Sequence, residues 1–144
     1  MLTNLLLGTF MILANVVIHT VGLVLLSRWM TFIVRWFRLH RHDFGKTVAM
    51  TTTVLGLFLL HTAEVWSWAL LFVATGTIRG FESALYFSTE TFSTLGYGDV
   101  TPAAEWRLLA SLEAVNGFLL IGWSTAYLVA ASTRHGPFRI GEHF

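Results

Sequence analysis

The sequence predicts an all-α membrane protein: three spanning helices, and one short helix that enters the bilayer without crossing it. Three observations predict this class. Hydrophobic residues make up 55% of the 144-residue chain and charged residues 12%, about half the charge share of soluble domains. Such a chain lacks the polar surface to wrap a soluble core of its size. Three apolar runs, within 1–26, 47–75 and 105–131, reach the ~20 residues that cross a bilayer. Between the last two lies a helical pattern too short to span, followed by a glycine-containing stretch. The formal charge of +1, with no long basic block and no zinc or RNA-binding signature, gives no nucleic-acid partner. Cysteine is absent, so disulfide frameworks and thiol catalysis are excluded.

The first run, Leu2 to Leu26, has no basic residue before it and exceeds the length of a signal-peptide core. It reads as a retained transmembrane helix. Asn15 and His19 stand at i and i+4 on one of its faces, as packing contacts.

The segment 27–46 follows, and "SRWMTFIVRWFRLHRHDF" (27–44) is amphipathic. Trp29, Phe32, Ile33, Trp36 and Phe37 form an apolar face, and Arg28, Thr31, Arg35, Arg38 and His42 the opposite one. The pattern predicts a helix lying in the cytoplasmic membrane interface, where it could attract anionic lipid. Arg35, Arg38 and Arg41 recur every third residue, as in voltage sensors. A sensor carries that row on a spanning helix within a bundle, so little intrinsic voltage sensing is expected. Five of the nine Lys and Arg residues fall in this segment, and Arg134 and Arg139 follow the third run. The positive-inside rule then puts the N-terminus outside and the C-terminus in the cytoplasm.

The second span carries His61 and Glu64, neighbours on one helix face. They could sense pH, or bond to each other or to another helix so that neither meets lipid. The histidines lack ligand spacing, so no transition-metal site is read.

The outward loop contains "GFESALYFSTETFS" (80–93), with Phe81, Ala84, Leu85, Ser88 and Phe92 on one side of a helix over 81–93. At ~1.5 Å rise per residue it goes only part way through the bilayer. Thr94 to Gly98 must then be non-helical backbone at membrane depth. This is tolerated only where it is buried in protein or lines a watery cavity.

"TETFSTLGYGD" (89–99) resembles the signature of the potassium channel pore family, whose filter is usually written TVGYGD. The resemblance covers about 47–131, with Glu90 and Pro102 matching family positions on either side of the filter. It implies an outer helix over 47–75, a re-entrant pore helix over 81–93, a selectivity filter over 94–99 and an inner helix over 105–131. The span within 1–26 is extra. In such a filter, rings of backbone carbonyls replace the hydration shell of K+. The resemblance assigns K+ coordination to the carbonyls of Thr94, Leu95, Gly96 and Tyr97 and to the Thr94 hydroxyl. Gly96 and Gly98 relieve the steric bar on positive φ, so successive carbonyls can point inward. Leu95 departs from the commoner valine or isoleucine, which leaves its carbonyl in place and changes packing behind it.

Glu90 and Asp99 flank the filter. In some family members the matching acids share a proton behind it, because two carboxylates in one poorly hydrated place do not both ionise cheaply. Alternatively both sit in water at the outer mouth and attract cations.

"EAVNGFLLIGWSTAYLV" (113–129) forms the inner helix. Gly117 matches the family's hinge glycine, or simply lets helices approach. Counting from it, the resemblance places Phe118, Ile121, Thr125 and Val129 on the cavity face. Glu113 and Asn116 are further cavity candidates. Glu113 could instead sit neutral behind the filter, hydrogen-bonded to the pore helix.

The tail, 132–144, is too short for a regulatory domain. A gating switch would lie in the filter, the inner helices, the interfacial helix or a regulatory partner outside this chain. One filter per chain implies a homotetramer, since the ring takes four loops. The expected function is passive, selective K+ conduction across the cell membrane, with K+ as permeant ion and no cofactor. The alternatives are a poorly selective cation channel and a non-conducting pore-fold sensor. No nucleophile–base, metal-hydrolysis or phosphate-loop motif suggests an enzyme.

Overall fold

The computed structural model describes residues 1–36 and 43–135. Four α-helices make up its frame: α1 (Leu2–Trp36), α2 (Asp43–Ala74), α3 (Phe81–Phe92) and α4 (Arg107–His135), with a 3-10 turn at Ala104–Trp106. No strand occurs among the described residues. Among the described residues, three helical segments are long and apolar enough to cross a membrane: Leu2–Val34, Phe44–Ala74 and Ala104–Thr133. With 12 residues, α3 rises only about 18 Å, short of the ~30 Å hydrocarbon layer.

The chain forms two compact units, one of Met1–His19 with His61–Ile121 and one of Thr20–Leu60 with Gly122–Phe144. In the first unit the core gathers Met11 from α1, Trp68, Ala69 and Phe72 from α2, Ala84, Phe87 and Phe92 from α3, and Leu109, Ala110 and Leu120 from α4. Phe72 meets Phe87 edge-on, ring centroids 5.2 Å apart. The first half of α1 buries Asn4, Met11, Asn15 and His19 while Leu6, Phe10, Leu13 and Val17 are exposed. Polar groups inside and apolar ones outside suit a helix whose solvent is lipid. Gly8 lets α1 approach α4, since a Cβ there would overlap Leu112.

The second unit packs Met30 and Val34 of α1 on Ala49 of α2, with Leu26 beside them. Two glycines interlock the pair: a Cβ at Gly22 would overlap Leu60, and one at Gly56 would overlap Leu26. Small residues give this close approach where the hydrophobic effect between helices is weak.

One element differs from its expectation. Residues 27–36 do not begin a separate interfacial helix but continue α1 without a break. No glycine or proline lies between Gly22 and Gly45, so nothing stops the helix. The face it buries is Met30 and Val34, whereas Trp29, Phe32 and Trp36 are exposed. The rest of the expected segment, 37–42, lies outside the described residues.

The chain reverses after α2 with the Thr75 N–H on the Leu71 carbonyl at 2.9 Å and the Gly76 N–H on the Val73 carbonyl at 3.0 Å. Ile78 then tucks back into the core, and Gly80 leads into α3.

Candidate functional site

The site is built where α3 ends. The Glu90 carbonyl accepts two N–H groups, from Leu95 at 2.9 Å and Gly96 at 3.2 Å, while the Thr94 N–H donates to Thr91 at 3.0 Å. These bonds tie the following loop to the last turn of α3. Beyond them the backbone takes left-handed φ at every second residue: Thr94 at 60°, Gly96 at 57° and Gly98 at 78°. Glycine adopts this region without penalty, whereas Thr94 holds it at a cost of about 1–2 kcal/mol. Among the described residues no hydrogen bond reaches the carbonyls of Thr94, Leu95, Gly96 or Tyr97. All four residues are exposed on the single chain. Four successive free carbonyls on a non-helical segment between two membrane spans need partners that one chain does not supply.

The acids around this loop are placed differently from each other. Glu90 is buried at 3% exposure, and its Oε2 has no hydrogen-bond partner among the described residues. Asp99 is exposed; its Oδ2 accepts the Tyr86 hydroxyl at 2.9 Å and its Oδ1 accepts the Val100 N–H at 3.0 Å. The two acids share no hydrogen bond among the described residues, so the expected proton-sharing pair is not formed within the chain. Asp99 is held by Tyr86, on α3. That bond pushes the Tyr86 phenol up to about 12, because ionising it would place two negative oxygens in contact. The sequence reading missed Tyr86. Its signal was a phenol four residues before Glu90, one turn along α3.

Behind the loop, α4 supplies Glu113, which is fully buried and accepts a hydrogen bond from the Ser88 hydroxyl of α3. Ser88 also lies 2.9 Å from the Val65 carbonyl of α2, so one hydroxyl links three helices. Asn116 is likewise buried, at 2% exposure. Asn116, expected as a cavity candidate, is turned into the chain, and Glu113 takes the second of its two expected places, hydrogen-bonded to the short helix α3 instead of facing a cavity. An acid in a membrane span is cheaper bonded to a hydroxyl than facing lipid. Phe118, Ile121, Thr125 and Val129 are exposed on α4.

Gly117 faces the end of α3. A Cβ there would overlap the Phe92 carbonyl oxygen and lie 2.7 Å from the Phe92 carbonyl carbon. Glycine at this position therefore serves close approach of backbone to backbone.

On the opposite flank, α1 brings His19 to the His61–Glu64 pair of α2. His19 Nδ1 lies 2.8 Å from Glu64 Oε1, and His61 Nδ1 lies 2.8 Å from Glu64 Oε2. The His61 ring stands 5.9 Å from that of Phe92. The i, i+3 spacing announced the His61–Glu64 pair; His19 lies 45 residues from Glu64 and carries no local signal.

Residues 57–134 match the family model described as Ion channel, more than half of the chain, and the chain belongs to that family. Its curated relatives narrow the class to potassium channels. It is 29% identical over 101 residues to the voltage-gated potassium channel Kch of Escherichia coli (strain K12), covering 67% of this chain and 23% of that protein. It is 31% identical over 109 residues to the inward rectifier potassium channel Kirbac3.1 of Paramagnetospirillum magnetotacticum, covering 69% of this chain and 36% of that protein. It is 41% identical over 54 residues to the calcium-gated potassium channel TvoK of Thermoplasma volcanium, covering 37% of this chain and 16% of that protein. The chain thus spans well under half the length of these relatives. No solved structure matches it.

Proposed function

We propose that this chain forms a passive, potassium-selective pore as a homotetramer, with residues 94–98 of four copies around one axis. The observation that carries the reading is the row of unbonded carbonyls from Thr94 to Tyr97, on a backbone with left-handed φ at 94, 96 and 98. Alternating φ of this kind turns successive carbonyls toward one side, as a ring that replaces a cation's water requires. The Thr94 hydroxyl adds a further oxygen at the inner end. Tyr86, holding Asp99, and the bonds onto the Glu90 carbonyl brace the loop from α3. Phe118, Ile121, Thr125 and Val129 line the vestibule below. Conduction needs no bond making, so the protein is a pore and not an enzyme. It lies in the cell membrane, N-terminus outside and C-terminus in the cytoplasm, as the distribution of Arg and Lys supports.

Reconstituted protein in liposomes tests this. A K+ gradient is expected to drive flux where an equal Na+ gradient does not. Equal fluxes would replace the reading with a poorly selective cation channel. No flux from verified tetramers would replace it with a non-conducting membrane sensor.

A further inference from the structure

We propose that His19, His61 and Glu64 form a binding site for a divalent transition-metal ion of the zinc type, held between α1 and α2 beside the end of α3. Two imidazoles and a carboxylate are the donor set that such ions take. One ligand atom from each residue lies within 4.8 Å of the other two. Tetrahedral coordination with bonds of ~2.0–2.1 Å separates ligand atoms by about 3.3 Å. His19 Nδ1 stands 2.8 Å from Glu64 Oε1 and His61 Nδ1 2.8 Å from Glu64 Oε2, so the gap to the oxygen that ligates would open by about half an ångström while the other imidazole turns toward that same oxygen. Side-chain rotation on two fixed helices covers that distance.

The surroundings favour a prepared site. His19 and Glu64 are fully buried, while the His61 side chain keeps 20% of its surface exposed. The Ser67 hydroxyl donates to the Glu64 carbonyl at 2.6 Å and the Asn15 amide donates to Ser67 Oγ at 3.1 Å. These bonds, one turn from the ligands, fix the register of α1 against α2. Preorganised ligands on rigid helices are what a metal site needs. A carboxylate and two histidines inside membrane spans are costly to place and mark function by default.

Without an ion the three groups form a hydrogen-bonded triad, and the ion competes for the same atoms. The site stands apart from the conduction reading, and its test does not use flux.

The test uses the purified full chain, stripped with a chelator and titrated with Zn2+ alone and with Co2+ alone. Zn2+ is expected to bind one equivalent per chain and to raise the thermal transition. Co2+ is expected to give the visible bands of a low-coordinate nitrogen and oxygen site. His61→Ala leaves the His19–Glu64 contact in place and keeps the fold; it is expected to weaken Zn2+ at least ~100-fold and to abolish the Co2+ bands. A variant with His40, His42, His135 and His143 all changed to Ala is expected to bind as the wild type does. Absence of saturable Zn2+ binding to the wild type overturns the proposal. So does binding that survives His61→Ala, or binding lost from the fourfold variant.

Discussion

Gly117→Ala is the most demanding perturbation of this structure. The added Cβ would lie 2.7 Å from the Phe92 carbonyl carbon and 2.8 Å from its Cα, whereas ordinary contact begins at 3.4 Å. The backbones of α4 and α3 must therefore separate by at least about 0.7 Å, and more to clear the carbonyl oxygen. Overpacking of this kind costs about 1–3 kcal/mol. A carbonyl in the last turn of a helix does not rotate aside as a side chain does, so the upper end applies. Alanine returns ~1 kcal/mol of helix propensity, which leaves a net loss of about 2 kcal/mol. For a chain of this size that lowers the transition by about 4–8 °C. Thermal unfolding followed by tryptophan fluorescence measures it, with K+ flux as a second readout, because α3 ends where the loop begins. Gly122→Ala is the control: nothing lies within 4 Å of its added Cβ, so it is expected to be neutral or stabilising by up to ~1 kcal/mol. If the two variants unfold together and conduct alike, the close-approach reasoning is refuted. Altered gating at unchanged stability would instead favour a hinge.

Two further outcomes are expected. Ser88→Ala leaves the buried Glu113 carboxyl without its partner and is expected to cost about 1–3 kcal/mol; adding Glu113→Leu should recover most of it, since removing both partners is nearly neutral, and a neutral single variant would contradict the bond. Tyr86, raised from 10.0 to about 12, favours its neutral form in the fold. The contribution of its bond is thus fully present below pH ~10 and fades as pH rises through ~12. Absorbance titration of wild type minus Tyr86→Phe should show one phenol ionising near 12; ionisation near 10 would remove Asp99 as its partner.

Local signals reached a good part of this molecule. The spanning runs, the short helix before the loop and the two glycines at 96 and 98 are stated by hydropathy, length and residue type. They need only short-range physics: twenty apolar residues in lipid, or a backbone that must turn left-handed. The pairing of His61 with Glu64 is of the same kind, since helical spacing alone makes them neighbours. Where the first span was bounded at Leu26 by the end of its apolar run, with no glycine or proline there, the helix ran on to Trp36.

The remaining features depend on which helices meet. Asp99 finds Tyr86 and not Glu90 because α3 presents its phenol to the loop. Glu113 turns inward because Ser88 of α3 stands opposite it. Gly117 serves contact because the Phe92 backbone lies against it. His19 joins Glu64 across 45 residues. The sequence by itself determined the membrane class and the shape of the loop, because both follow from free energies local to a segment. Only the tertiary structure decided the partners of the buried acids and of His19. In lipid an acid or an imidazole is driven to whichever donor or acceptor is nearest in space, and packing alone sets that distance.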